Sequence, residues 1–249
     1  MMQRARRILV VLLVVAVSGF AFGQNDNSDE QSAPATIDEL YLMQDIQIQT
    51  IRSQALSQDR AVKLLAIENI RSLLETGGVS TDNEGVRIII ESLASEGTFR
   101  QQRQGGRIVN DYPLVRREAA NLLGRFGGEE AMETLVRMLP VEGESIVSAE
   151  VIYSLGQIGM NPDNRVSRAI VNELNRNTLR TTPDNFLAWF AIEALEQLSG
   201  DGMDDPEVVA ALLDVTTGNY TLTVRDKARE AINDFLGLPD EEEEGGQGQ

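Results

Sequence analysis

One helical phrase is written five times along the chain. Val115-Arg116-x-x-Ala119-Ala120-x-Leu122-Leu123-Gly124-x-Phe126-Gly127 aligns with Val147-x-x-x-Val151-Ile152-x-x-Leu155-Gly156-x-Ile158-Gly159. Its slots recur at Leu187, Ala191, Ile192, Ala194, Leu195 and Leu198, then at Val224, Arg225, Ala228, Ala231, Ile232 and Phe235. An earlier copy is Val62, Lys63, Ala66, Ile67, Ile70 and Leu73, and successive copies start 53, 32, 40 and 37 residues apart. Apolar residues at i, i+4, i+5, i+8 and i+11 form one stripe of a helix, and Ala within the stripe lets a neighbouring backbone come close. Gly127 and Gly159 are expected to end their helices by taking up the left-handed conformation.

Second amphipathic segments fall between the copies, at Val86 to Leu93, Ala131 to Leu139, Val166 to Leu174 and Val208 to Leu213. Pro113 and Pro206 sit where a first-turn proline costs no hydrogen bond. Each unit is then a helical hairpin that cannot bury its apolar face alone, so stacking has to bury it. Ahead of the first copy, Thr36 and the stripe Leu40, Met43, Ile46, Ile48 and Ile51 predict a helix from 37 to 56. The expected fold is all-α, a superhelical solenoid of about five helical hairpins.

The phrase from Val115 to Gly127 resembles the HEAT-repeat family, more narrowly its short bacterial, phycobilisome-lyase-like version. The resemblance covers roughly residues 58 to 237. It weakens where Ile70-Arg71, Leu195-Glu196 and Ile232-Asn233 replace the Leu-Gly pair, as expected of capping repeats. Family members include adaptors, scaffolds, inhibitors and a minority of lyases, so the resemblance implies a fold and leaves the function open.

The domain organisation follows from composition shifts. Arg4, Arg6 and Arg7 precede the apolar run Ile8 to Val17 and the small-residue stretch ending Ala21-Phe22-Gly23, so residues 1–23 read as a secretory signal peptide. Cleavage is expected before Gln24, a cut after Gly19 being the alternative. An uncleaved anchor is the other reading, against which stands an apolar run shorter than the roughly 20 residues a spanning helix needs. With no Cys after the run, lipoprotein processing has no acceptor. The expected location is the periplasm, with no stable membrane insertion after cleavage. Residues 24–35 read as a disordered leader, 36–57 as an N-terminal capping helix, 58–238 as the solenoid with an insertion at 97–112, and 239–249 as an acidic disordered tail.

Composition narrows the chemistry. The chain has neither Cys nor His, which removes disulfides, thiol nucleophiles, Ser-His and Cys-His dyads and nearly all Zn, Cu, haem and iron-sulfur sites. No cofactor is expected. A net charge of -17 disfavours general nucleic-acid binding. All 22 basic residues except Lys63 and Lys227 are Arg, and residues 97–180 hold 11 Arg against 10 acids, so basic character gathers mid-chain.

Candidate contact residues are therefore Arg100, Arg103 and Arg107 in the insertion, with Arg116 and Arg117 beside it. Arg forks bind carboxylates in two-pronged fashion, which suits docking of an acidic protein segment; the plainer reading is a solvated loop with ordinary surface Arg. Trp189, the single Trp, and Phe190 fill slots that other copies give to Arg117 and Glu118 or to Asp226 and Lys227, which points either to an exposed aromatic anchor or to an extra packing layer. Asp201, Asp204, Asp205 and Glu207 invite a calcium reading but lack the ligand alternation of an EF-hand, and Asp205-Pro206-Glu207 is a ready helix start. No metal site and no catalytic residue is expected.

The functional expectation is a non-enzymatic, exported scaffold or adaptor that binds another, unidentified envelope protein, through an acidic or extended segment. Alternatives are a hydrolase or lyase acting on an envelope polymer through a carboxylate pair, and a module for anionic glycans.

Overall fold

A computed structural model describes residues 37–199 and 205–237, with side chains from residue 45 onward. The proposed signal segment, the leader, Asp201, Asp204 and the acidic tail lie outside the described residues.

The five copies of the phrase become α2 (Arg60–Glu75), α4 (Pro113–Phe126), α6 (Ser145–Ile158), α8 (Asn185–Ser199) and α10 (Leu222–Leu236). The intervening stripes become α3 (Glu84–Ala94), α5 (Gly128–Met138), α7 (Arg165–Thr178) and α9 (Pro206–Thr217), and α1 spans Ile37–Leu56. Local chemistry starts these helices. Asp59 accepts from the Ala61 N–H at 2.7 Å, Asn83 from Val86 at 3.0 Å, and Asp205 from Glu207 at 3.0 Å. Asp184 accepts from both Phe186 and Leu187 at the head of α8.

The helices stack as two layers of an all-α solenoid. In one layer α2, α4, α6, α8 and α10 each pack on the next; in the other α1 meets α3, α3 meets α5, and α7 meets α9. Across the layers α3 packs on α4, α5 on α6, α7 on α8 and α9 on α10. The phrase's apolar slots form the seam. Ala119, Leu122, Leu123, Ile152, Leu155, Leu187, Ile192 and Leu195 are fully buried, each Leu or Ile contributing about 1.5–3 kcal/mol.

Glycine sets the pitch of the first layer. A Cβ on Gly124 would lie 2.7 Å from the Ser154 Cβ, and one on Gly156 would lie 3.0 Å from the Ala194 Cα. These contacts draw α4, α6 and α8 together. At the helix ends one expectation needs correcting. Gly159 ends α6 left-handed (φ 69°, ψ 13°), but Gly127 combines φ 71° with ψ -167° and is followed by Gly128 at φ 83°. Because α5 begins at Gly128, the chain must reverse within one residue, and that needs a glycine-only conformation other than the helical one.

The insertion is folded. β1 (Arg103–Gln104) pairs antiparallel with β2 (Arg107–Ile108), and Gly105 and Gly106 between them both have positive φ, 58° and 82°. Two consecutive positive φ values match the hand of a two-residue hairpin turn.

Candidate functional site

The hairpin stands on a buried polar network. Asn110 donates to the Glu96 carboxylate at 2.7 Å and to the Arg100 carbonyl at 2.6 Å, and accepts from the Gln102 N–H at 2.7 Å. The other Glu96 oxygen takes Lys63 Nζ at 2.9 Å, which also donates to the Ala55 carbonyl. Lys63, Glu96 and Asn110 are all buried. The Arg116 guanidinium joins the same base, donating to the Glu96 carbonyl at 3.0 Å and to Asp111 at 2.7 Å.

Arg116 is thus not a surface contact, which corrects its place among the docking residues. It is 2% exposed and grips Glu142 with two parallel bonds of 2.7 and 2.9 Å. Burial opposes its charge, yet the hydrogen bonds and charges of Glu142 and Asp111 outweigh burial and hold its pKa above the ordinary value. The same slot, second in the phrase, faces inward elsewhere. Lys63 pairs there with Glu96, and Ser148 with Glu173, whose pKa is raised by its burial despite Arg176 and that hydrogen bond. A buried tie from the head of one helix to a carboxylate of the opposite layer or its loop recurs in three successive units. Each glutamate lies far along the chain from its partner, so no local pattern marks the pair.

The remaining candidates fall in different places. Arg100, Arg103 and Arg107 are exposed, and none makes an ion pair among the described residues. Arg100 donates to the Ser92 hydroxyl, and Arg103 to Gln101 and weakly to the Gly106 carbonyl. Arg117 is half-buried and bound to Glu118 at 2.6 Å. Burial would raise the Glu118 pKa, but Arg117 and Arg71 hold it below the usual range. Trp189 is partly buried against the core with Lys227 Nζ 5.0 Å above its ring, and Phe190 meets Tyr153 edge to face. Extra packing, not an open anchor, accounts for both aromatics.

Two surfaces emerge that the linear pattern did not assemble, although Arg165, Arg168 and Arg176 belong to the basic residues gathered mid-chain. Between α5 and α7 lies a groove of about 650 Å³ floored by Val136, Leu139 and Ala169 and lined by Arg165, Arg168 and Arg176. Spacing of i, i+3 and i+11 puts these three Arg on one helical face. The second surface is the edge where the loops entering α2, α4, α6, α8 and α10 lie side by side. Tyr112 donates to the Gln58 carbonyl at 2.8 Å, Arg116 reaches Glu142, and Arg180 reaches Ser145. Asn185 accepts from the Thr221 N–H at 2.8 Å, completing a tie between every neighbouring pair of loops. Large apolar side chains stand exposed along it: Leu114 at 40%, Ile146 at 53%, Phe186 at 72% and Leu222 at 61%. The first three occupy one slot, immediately before the phrase. That recurrence was available in the sequence, but attention to buried slots passes over it.

Among the described residues no group of three Asp or Glu is arranged to hold a metal, and Asp205 serves as a helix cap. Glu173 is enclosed by Ser148 and Arg176 and does not line the groove.

Against known proteins, residues 115–139, which span α4 and α5, match the family model described as PBS lyase HEAT-like repeat. No curated protein and no solved structure matches the chain.

Proposed function

We propose that this chain, a HEAT-like repeat protein by its α4–α5 unit and its stacked hairpins, is a non-catalytic protein-interaction scaffold. In this reading it is exported and holds another envelope protein by an acidic, extended segment. The supporting observation is the hairpin at 103–108. Its base is fixed by the Lys63–Glu96 pair, Asn110 and the Arg116–Glu142 pair, while Arg100, Arg103 and Arg107 are exposed with no acidic partner among the described residues. Burying such pairs adds little net stability; its effect is a fixed geometry, which reduces the ordering cost of binding. The groove between α5 and α7 adds a second surface lined by Arg, where Arg165 pairs with Glu133 and Arg176 with Glu173, and Arg168 has no ion pair among the described residues. Export rests on Arg4, Arg6 and Arg7 ahead of the apolar run Ile8 to Val17.

The test is affinity capture from envelope extract with the chain from Gln24 onward, beside a variant combining Arg100→Ala, Arg103→Ala and Arg107→Ala. One envelope protein should be retained by the first and lost from the second, the difference shrinking as salt screens the charges. Equal retention at every salt would remove the hairpin as the contact. Enrichment of nothing by either chain would remove the scaffold reading.

A further inference from the structure

We infer that the loop edge is a docking strip for an extended acidic segment of a partner protein whose apolar side chains recur at every third residue. The inference rests on the scaffold reading and names the chemistry of its partner.

Three independent features converge on this edge. First, the apolar side chains Leu114, Ile146, Phe186 and Leu222 head four successive helices of one layer, so they form a row and not a scatter. Val141 and Leu179, in the loops between, are exposed beside them. Isolated exposed apolar residues are ordinary, but their recurrence at successive helix heads points to a contact surface. Second, the edge carries exposed Arg side chains although the molecule is strongly acidic. Arg100, Arg103, Arg107 and Arg180 stand on it without an ion pair among the described residues. The nearby acids have partners of their own: Asp111 and Glu142 share Arg116, Asp184 caps the first turn of α8, and Asp59 caps α2. Exposed Glu144 is the exception. Third, α4, α6 and α10 begin at this edge with no side-chain cap from Tyr112, Glu144 or Thr221. The positive ends of three helix dipoles therefore add to the Arg charges in favouring carboxylates.

Spacing selects the conformation of the partner. Packed helices lie about 8–10 Å apart, and an extended chain of the polyproline II type advances about 3.1 Å per residue with three residues per turn, so every third side chain returns to one face and meets the next helix head. The two residues between would present carboxylates to the Arg side chains and helix ends. A membrane surface would also accept an apolar and basic edge, but it imposes no spacing and an anionic bilayer repels the acidic bulk of the molecule.

The experiment uses the chain from Gln24 onward and a synthetic peptide of repeating Leu-Glu-Asp triplets long enough to cross four helices. Its control replaces each Leu by Ser at the same charge. The protein variant combines Leu114→Ser, Ile146→Ser, Phe186→Ser and Leu222→Ser; all four side chains are exposed, so the melting temperature should hold. If that variant melts early, the pair Ile146→Ser and Phe186→Ser replaces it. The Leu peptide should bind the unaltered chain, and both the Ser peptide and the variant should weaken binding by about tenfold or more. Failure of the Leu peptide to bind, equal binding of the Ser peptide, or equal binding by the variant overturns the strip. Sedimentation with phosphatidylglycerol vesicles that the variant loses, without peptide binding, overturns it in favour of a lipid surface. Capture of an envelope protein by the unaltered chain, undiminished in the variant, would leave the scaffold reading standing while removing the strip.

Discussion

Among single residues, Arg116 and Glu142 carry the largest expected consequence. Both are nearly inaccessible, and removing one leaves the other charged in a medium of low dielectric. Arg116→Met, which leaves buried Glu142 without a cation, should cost about 3–5 kcal/mol in chemical denaturation; Glu142→Ala should cost less, because Arg116 keeps Asp111 at 2.7 Å, and the double change should cost less than the sum of the two. Glu173 has the opposite sign. Its folded pKa is raised above 4.5 by burial, so its charge is a cost above the folded pKa that is relieved as pH falls toward 4.5. Glu173→Gln should therefore stabilise relative to the unaltered chain at pH 7, and the advantage should vanish below the ordinary glutamate value. Denaturation series at the two pH values check this. Glycine supplies the sharpest contrast. Gly156→Ala meets the Gln197 Oε1 at 2.7 Å and the Ala194 Cα at 3.0 Å and should cost about 1–3 kcal/mol, whereas Gly143→Ala meets nothing within 4 Å and should cost nothing measurable.

Among the elements, the hairpin depends on one side chain. Asn110 closes it with three hydrogen bonds, one of them to buried Glu96. Asn110→Ala should cost about 1–3 kcal/mol and speed hydrogen exchange at the Gln102 and Val109 amides, the second of which bonds to the Gln102 carbonyl at 2.9 Å. Exchange in α6 should be unchanged. Beforehand this element was legible only as part of an insertion at 97–112. Strands of two residues are too short to show an alternating pattern, and the side chain that closes them reaches across from outside the pairing.

For the whole molecule, stability follows the number of neighbours each helix has in the stack. α4, α6 and α8 are packed on both sides within their layer, whereas among the described residues α10 packs chiefly on α8 and α9, and α1 on α2 and α3. In a solenoid, stability is the sum of units and their interfaces, so opening starts at the ends. Hydrogen exchange should be slowest in α4, α6 and α8 and faster in α10; uniform protection would instead indicate one cooperative block. The open groove between α5 and α7 lies opposite the layer that Gly124 and Gly156 draw together, which places the Arg-lined surface on the looser side of the stack.

The sequence by itself determined the helices, their pairing into hairpins and the burial of Ala119, Leu123, Ile152 and Leu195, because a stripe of period 3.6 is a local property that the chain repeats. It also showed which units carry the Leu-Gly pair, whereas the packing showed that Gly124 and Gly156 are where helices approach closely. Only the tertiary structure decided which polar side chains lie inside. Arg116 is read as a surface charge until Glu142, 26 residues on, is brought against it. The apolar edge was decided in the same way: Leu114, Ile146 and Phe186 form a surface only when stacking sets three helix heads side by side. Periodicity reports which face of a helix turns inward, whereas partners distant in sequence and rows assembled from separate units depend on how the helices are packed.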